Sequence, residues 1–127
     1  MKTALLGLLI LGLLAGAGFY SPCSSLSPRN VKRIKSDVST LVSALRAYQR
    51  DADRFPTTEQ GLAALVHEPT VPPLPKRWMA SMKKVITDPF EREYRYRQPG
   101  IHNPESFDVW SLGPDGIESL DDIGNWE

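Results

Sequence analysis

Val31, Ile34, Val38, Leu41, Val42, Leu45 and Tyr48 recur at steps of three and four, which places them on one apolar stripe of a helix. Lys32, Arg33, Asp37, Arg46 and Arg50 fall away from that stripe. Pro28 suits a first helical turn, where an amide has no partner to lose, and Phe55-Pro56 stops the helix soon after Arg54. The spacing predicts one long helix over residues 29–53. Helices of this kind draw their stability from burying the apolar face. The rest of the chain must therefore provide a surface for it.

The downstream segments are short. Thr57-Thr58-Glu59-Gln60 has a threonine with a glutamine three places on, the pattern of a reciprocal helix cap. Leu62, Leu65 and Val66 follow, so a short helix is expected over 58–66, ended by Pro69. Four prolines between Pro69 and Pro75 read as a stiff extended connection, with Trp78 and Met82 pinning the next turn to the core. Asp88-Pro89 starts another turn. Residues 94–97 and 107–111 alternate like strands, and Pro99-Gly100 opens the loop between them. Paired as a hairpin, they would turn Tyr94, Tyr96, Phe107 and Val109 to the helix. Arg95, Arg97, Asp108 and Trp110 would take the wetter face, with arginine stacked on indole. The fold class is α+β: a long N-terminal helix on a small antiparallel sheet, followed by a C-terminal loop.

Lys and Arg total 15, as do Asp and Glu, and the formal net charge is zero. That balance excludes the basic surface typical of nucleic-acid binding. The chain opens with Met1-Lys2-Thr3 and an apolar run from Ala4 to Tyr20, about seventeen residues, at the lower limit for a membrane-spanning helix. Residues 1–20 read equally as an inner-membrane anchor or as a cleaved export signal. Either way the remainder is expected outside the cytoplasm, anchored with a periplasmic domain or soluble in the periplasm. Residues 21–28 read as a linker leading to one domain, 29–127. Cys23 is the sole cysteine, so no internal disulfide forms. It stands where an acylated cysteine would, although Tyr20-Ser21-Pro22 is a poor box for that processing.

Chemistry concentrates near the end, in residues 111–126. Ser111-Leu112-Gly113-Pro114-Asp115-Gly116 is followed closely by Asp121 and Asp122. Carboxylates held close repel one another unless a hard cation sits among them. Calcium takes six to eight oxygens from carboxylates and carbonyls. Asp115, Asp121 and Asp122 could supply the charge, with Ser111 and the Leu112 carbonyl completing the shell. The EF-hand register is absent, and spacing alone favours a solvated acidic turn over a calcium site. Catalysis has no support. His67 and His102, the only histidines, fit no metal or nucleophile motif, and no phosphate loop or nucleophile elbow occurs.

Four blocks together resemble the major pseudopilin of type II secretion systems. They are Phe55-Pro56-Thr57-Thr58-Glu59-Gln60-Gly61-Leu62; Asp88-Pro89-Phe90 leading to Tyr94 and Tyr96; Asp108-Val109-Trp110-Ser111-Leu112-Gly113-Pro114-Asp115-Gly116; and Asp122-Ile123-Gly124-Asn125-Trp126. The resemblance implies a pilin-like fold and a structural role without catalysis. It also implies assembly with other pseudopilins and secretion-system components, as a homo-oligomeric periplasmic filament that helps move folded proteins across the outer membrane. A calcium ion at Ser111, Leu112, Asp115, Asp121 and Asp122 is implied too, although the stretch from Gly116 to Asp121 is shorter than is usual in the family. The family's glycine-phenylalanine cleavage motif precedes its apolar segment, and a glutamate follows soon after. Here Gly18-Phe19 lies at the far end of the run and not ahead of it, and the first acidic residue is Asp37. A divergent member exported by the ordinary route and a true start farther upstream both fit that departure. A periplasmic binding module that keeps the fold without polymerising is the alternative function.

Overall fold

The computed structural model describes residues 26–127. Helix α1, Pro28–Ala52, starts where Ser27 Oγ accepts the Asn30 amide at 3.2 Å, replacing one of the acceptors a helix N-terminus lacks. It ends at Asp53, in the left-handed region at φ 60°. Its buried face is Ile34, Val38, Leu41, Ala44, Leu45, Tyr48 and Ala52, the stripe read from the spacing, with Val31 and Val42 at its margins. Leu26, ahead of the cap, already packs on the core.

The helix expected over 58–66 is a capped turn followed by a 3₁₀ turn, Leu62–Leu65. The reciprocal cap forms: the Gln60 amide donates to Thr57 Oγ1 at 3.1 Å and the Thr57 amide to Gln60 Oε1 at 3.0 Å. Directly after it, Gly61 adopts φ 62° and ψ −167°. That conformation favours glycine and breaks the right-handed winding before an α-helix is established. Three residues per turn then bring Leu62 and Leu65 to the same side, where both are buried. The Gln60 side-chain nitrogen donates to the Val71 and Pro73 carbonyls at 2.7 and 2.9 Å, tying down the proline-rich stretch. Trp78 Nε1 donates to the Ala64 carbonyl at 2.8 Å, and both Trp78 and Met82 pack against the core.

Three antiparallel strands form the sheet in the order β1 (Arg95–Arg97), β2 (Asp108–Ser111), β3 (Ile123–Gly124). Tyr96 faces Val109, and Ser111 faces Ile123. Two residues are too few to show alternation, so β3 is invisible to pattern reading; it forms on the free edge of β2. Tyr94, Phe107, Val109 and Ile123 join the face of α1 in one core, and Tyr96 packs against it. Tyr94 Oη donates to Asp37 Oδ2 at 2.7 Å, and Tyr96 Oη to the Pro56 carbonyl at 2.7 Å. Burial, foremost, pushes both phenols far above their usual range.

The opposite face of the hairpin is drier than its pattern suggests. The Arg97 guanidinium does lie over the Trp110 indole, 4.8 Å from its centre, but Asp108 and Trp110 are 0% and 5% exposed. Residues 101–103 fold over them. Asp108 accepts the Ile101, His102 and Asn103 amides at 2.7, 2.9 and 3.0 Å and Asn103 Nδ2 at 3.0 Å. Trp126 covers the same face, stacked 3.9 Å from His102. Burial alone would raise the Asp108 pKa, but the four donors outweigh it and hold it below the usual carboxylate value. Among the described residues no helix is long and apolar enough to cross a membrane; the Ala4 to Tyr20 run, most of the linker and Cys23 lie outside them.

Candidate functional site: the C-terminal acidic loop

Residues 112–122 leave from the end of β2 and return at β3, so the Ser111–Ile123 pairing holds both ends of the loop. Its first half is clamped. Ser111 Oγ donates to Asp88 Oδ2 at 2.8 Å and accepts the Gly113 amide at 3.1 Å. Asp88 is 2% exposed, and its other oxygen accepts the Phe90 and Arg92 amides at 2.9 and 3.0 Å. The Arg92 guanidinium reaches the Gly113 and Pro114 carbonyls at 2.7 and 3.4 Å. A buried carboxylate with three donors and an arginine on two carbonyls thus lock residues 111–114 onto the 88–92 turn. In the sequence Asp88 reads as a turn starter and as part of a family block, and nothing singles out Arg92. No local pattern advertises a partner that is more than twenty residues away.

The second half is held by local bonds and one exposed ion pair, Arg97–Glu118. Asp115 is exposed, and its Oδ1 accepts the Ile117 amide at 3.1 Å. Asp121 is exposed too, its amide donating to Ser119 Oγ at 3.3 Å. Asp122 turns inward to 8% exposure, and its Oδ1 is buried with no hydrogen-bond partner. Burial raises its pKa first; the Ser119 backbone bond opposes this, and the charges of Glu118, Asp115 and Asp121 add to the rise. Leu112 is buried at the loop's base. Among the described residues no three His, Cys, Asp or Glu side chains gather closely enough to hold a metal ion. Asp115 and Asp121 act on Asp122 through their field and remain in solvent. Glu118, which the spacing did not single out, contributes to that field while pairing with Arg97 at 3.2 Å. A buried, unpartnered carboxylate oxygen among other carboxylates is a donor of the kind that suits a hard cation. The Ser111 hydroxyl is already engaged by Asp88 and Gly113.

Residues 23–126 match the family described as type II secretion system (T2SS), protein G. The chain belongs to this family. It is 39% identical over 122 residues to the type II secretion system core protein G of Pectobacterium carotovorum subsp. carotovorum, covering 94% of this chain and 77% of that protein. With the protein of the same name from Pseudomonas aeruginosa it shares 40% over 124 residues, 93% of this chain and 86% of the other. The crystal structure of the major pseudopilin from the type 2 secretion system of enterohaemorrhagic Escherichia coli superposes with a TM-score of 0.72 at 40% identity. The match covers 77% of this chain and 87% of that one. The fold of the protein G family, one helix on a small antiparallel sheet, is therefore the fold of this chain.

Proposed function

We propose that this protein is a structural pseudopilin of a type II secretion system, exported and facing the periplasm. It assembles with copies of itself and with other pseudopilins and secretion-system components into a pseudopilus that helps carry folded proteins across the outer membrane. The observation that supports this most is the joint agreement of sequence and fold with protein G over nearly the whole described region. An uncleaved segment from Ala4 to Tyr20 would anchor it in the inner membrane. The role is structural: long-range hydrogen bonds clamp the base of the acidic loop to the 88–92 turn, and His102 is stacked on Trp126. Removing the gene from its host should stop release of the host's type II substrates into the medium. Unchanged release would end this reading.

A calcium ion in the C-terminal loop belongs to the same proposal. Asp115, Asp121 and Asp122, which stand apart without the ion, would draw together to hold it, with backbone oxygens at Ser111 and Leu112 completing the shell. When bound, the ion would neutralise the carboxylates and tie the second half of the loop to the clamped first half. Supporting it is the Asp122 oxygen, buried without a partner among like charges. Free calcium at a hundred times its dissociation constant should stabilise the domain by about 2.7 kcal/mol. Melting with calcium and then with a chelator checks this; equal midpoints would remove the ion. Asp122→Asn should lose the calcium gain yet melt no lower than the parent in chelator, because it removes a charge the metal-free fold buries at a cost.

A further inference from the structure

The tip of the acidic loop carries apolar side chains that the fold leaves uncovered. Ile117 is 68% exposed and Leu120 104%. Single exposed apolar residues are ordinary, but these two stand within four positions at one tip, interleaved with the exposed Asp115, Glu118 and Asp121. A bound calcium ion would not reverse the sign: with Glu118 paired to Arg97, Asp115, Asp121 and Asp122 still outweigh a divalent charge.

Elsewhere on the domain lies a depression. Thr40, Ser43, Ala44 and Ala47 of α1, with Ser81 and Met82, line a shallow depression of about 390 Å³. Its two α1 hydroxyls are turned back onto the helix: Thr40 Oγ1 donates to the Ser36 carbonyl at 3.1 Å and Ser43 Oγ to the Ser39 carbonyl at 3.0 Å. The Ser81 hydroxyl, by contrast, is buried without a partner. Around the depression stand exposed cations. Arg46 and Arg50 are one helical turn from Ser43 and Ala47, and Lys83 and Lys84 directly follow Met82, with the half-buried Asp51, one turn beyond Ala47, as the opposing charge. No carboxylate is among the lining residues.

We propose that the Ile117–Leu120 tip of one copy seats in the Thr40–Ala47 depression of a second copy, its carboxylates meeting Arg46, Arg50, Lys83 and Lys84. This rests on the assembly reading above and identifies one contact of that assembly. A second copy is the occupant because this chain carries both halves, an acidic tip with two exposed side chains and a depression of small residues flanked by bases. The two surfaces share no residue, so the contact is heterologous. Such contacts repeat head to tail and build open arrays.

The test uses the full chain, expressed where it assembles, with Cys23→Ser to remove the native thiol. Leu120→Cys and Ala47→Cys on separate chains should form a disulfide dimer when the chains are coexpressed, and neither should do so alone. Both on one chain should give a ladder. Lys83→Glu with Lys84→Glu should lower the crosslink about tenfold through like-charge repulsion, and Glu118→Lys should restore part of it. Filaments seen by electron microscopy without the Leu120–Ala47 crosslink would overturn this contact and leave assembly standing. A Leu120–Leu120 crosslink would also overturn it. Absence of any assembly from the Cys23→Ser chain would overturn both the contact and the pseudopilus reading.

Discussion

Asp88 offers the sharpest test of how the acidic loop is built. Asp88→Ala removes an acceptor that holds the Phe90 and Arg92 amides and the Ser111 hydroxyl at 2.8 to 3.0 Å in a nearly sealed position. Each hydrogen bond to a charged group contributes about 1.5–3 kcal/mol, but the three share one carboxylate and do not add in full. A loss of about 3 kcal/mol is expected, a large part of the 5–15 kcal/mol typical of a domain. With a urea slope of about 1.5 kcal/mol per molar, the midpoint should fall by about 2 M at unchanged slope. Asp88→Asn is the discriminating partner. Its Oδ1 can keep both amides, and only the Ser111 bond is compromised, so the loss should be about 1 kcal/mol. If the proposed calcium ion binds, the alanine variant, with residues 111–114 unclamped, should gain less from it than the asparagine variant. If alanine and asparagine unfold together, or alanine costs less than about 1 kcal/mol, Asp88 does not hold the loop.

Acid sensitivity should follow from Asp108, whose pKa is held down in the fold. A depressed carboxylate contributes stability above its unfolded value and loses it as pH falls through the folded one. Melting from neutral pH down to about 2 should therefore show an acid-side decline that is shallower in Asp108→Asn; identical slopes would refute the assignment. Gly124→Ala should unseat Trp126, because a Cβ there would lie on the indole ring. The His102 stack should be lost at a cost of about 1–3 kcal/mol, with altered near-ultraviolet dichroism; an unchanged spectrum would refute it.

Read alone, the chain specifies α1 almost residue by residue. The three-four spacing from Ile34 to Tyr48, Pro28 at the start and Pro56 beyond the end act within a few positions, where propensity and periodicity operate. The Thr57–Gln60 cap and the alternation in the first two strands are local for the same reason. What needed tertiary structure is what depends on distant partners. Gly61 turns an expected α-helix into a 3₁₀ turn, whose buried leucines fit it to the core. Strand β3 exists because β2 has a free edge. Asp108, read as facing water, is sealed by a loop that it organises itself. Within the acidic loop, the carboxylates were legible as composition. Which of them is buried, and that Asp88 and Arg92 clamp the base, was not, because hydrogen bonds spanning some twenty residues leave no period in the sequence.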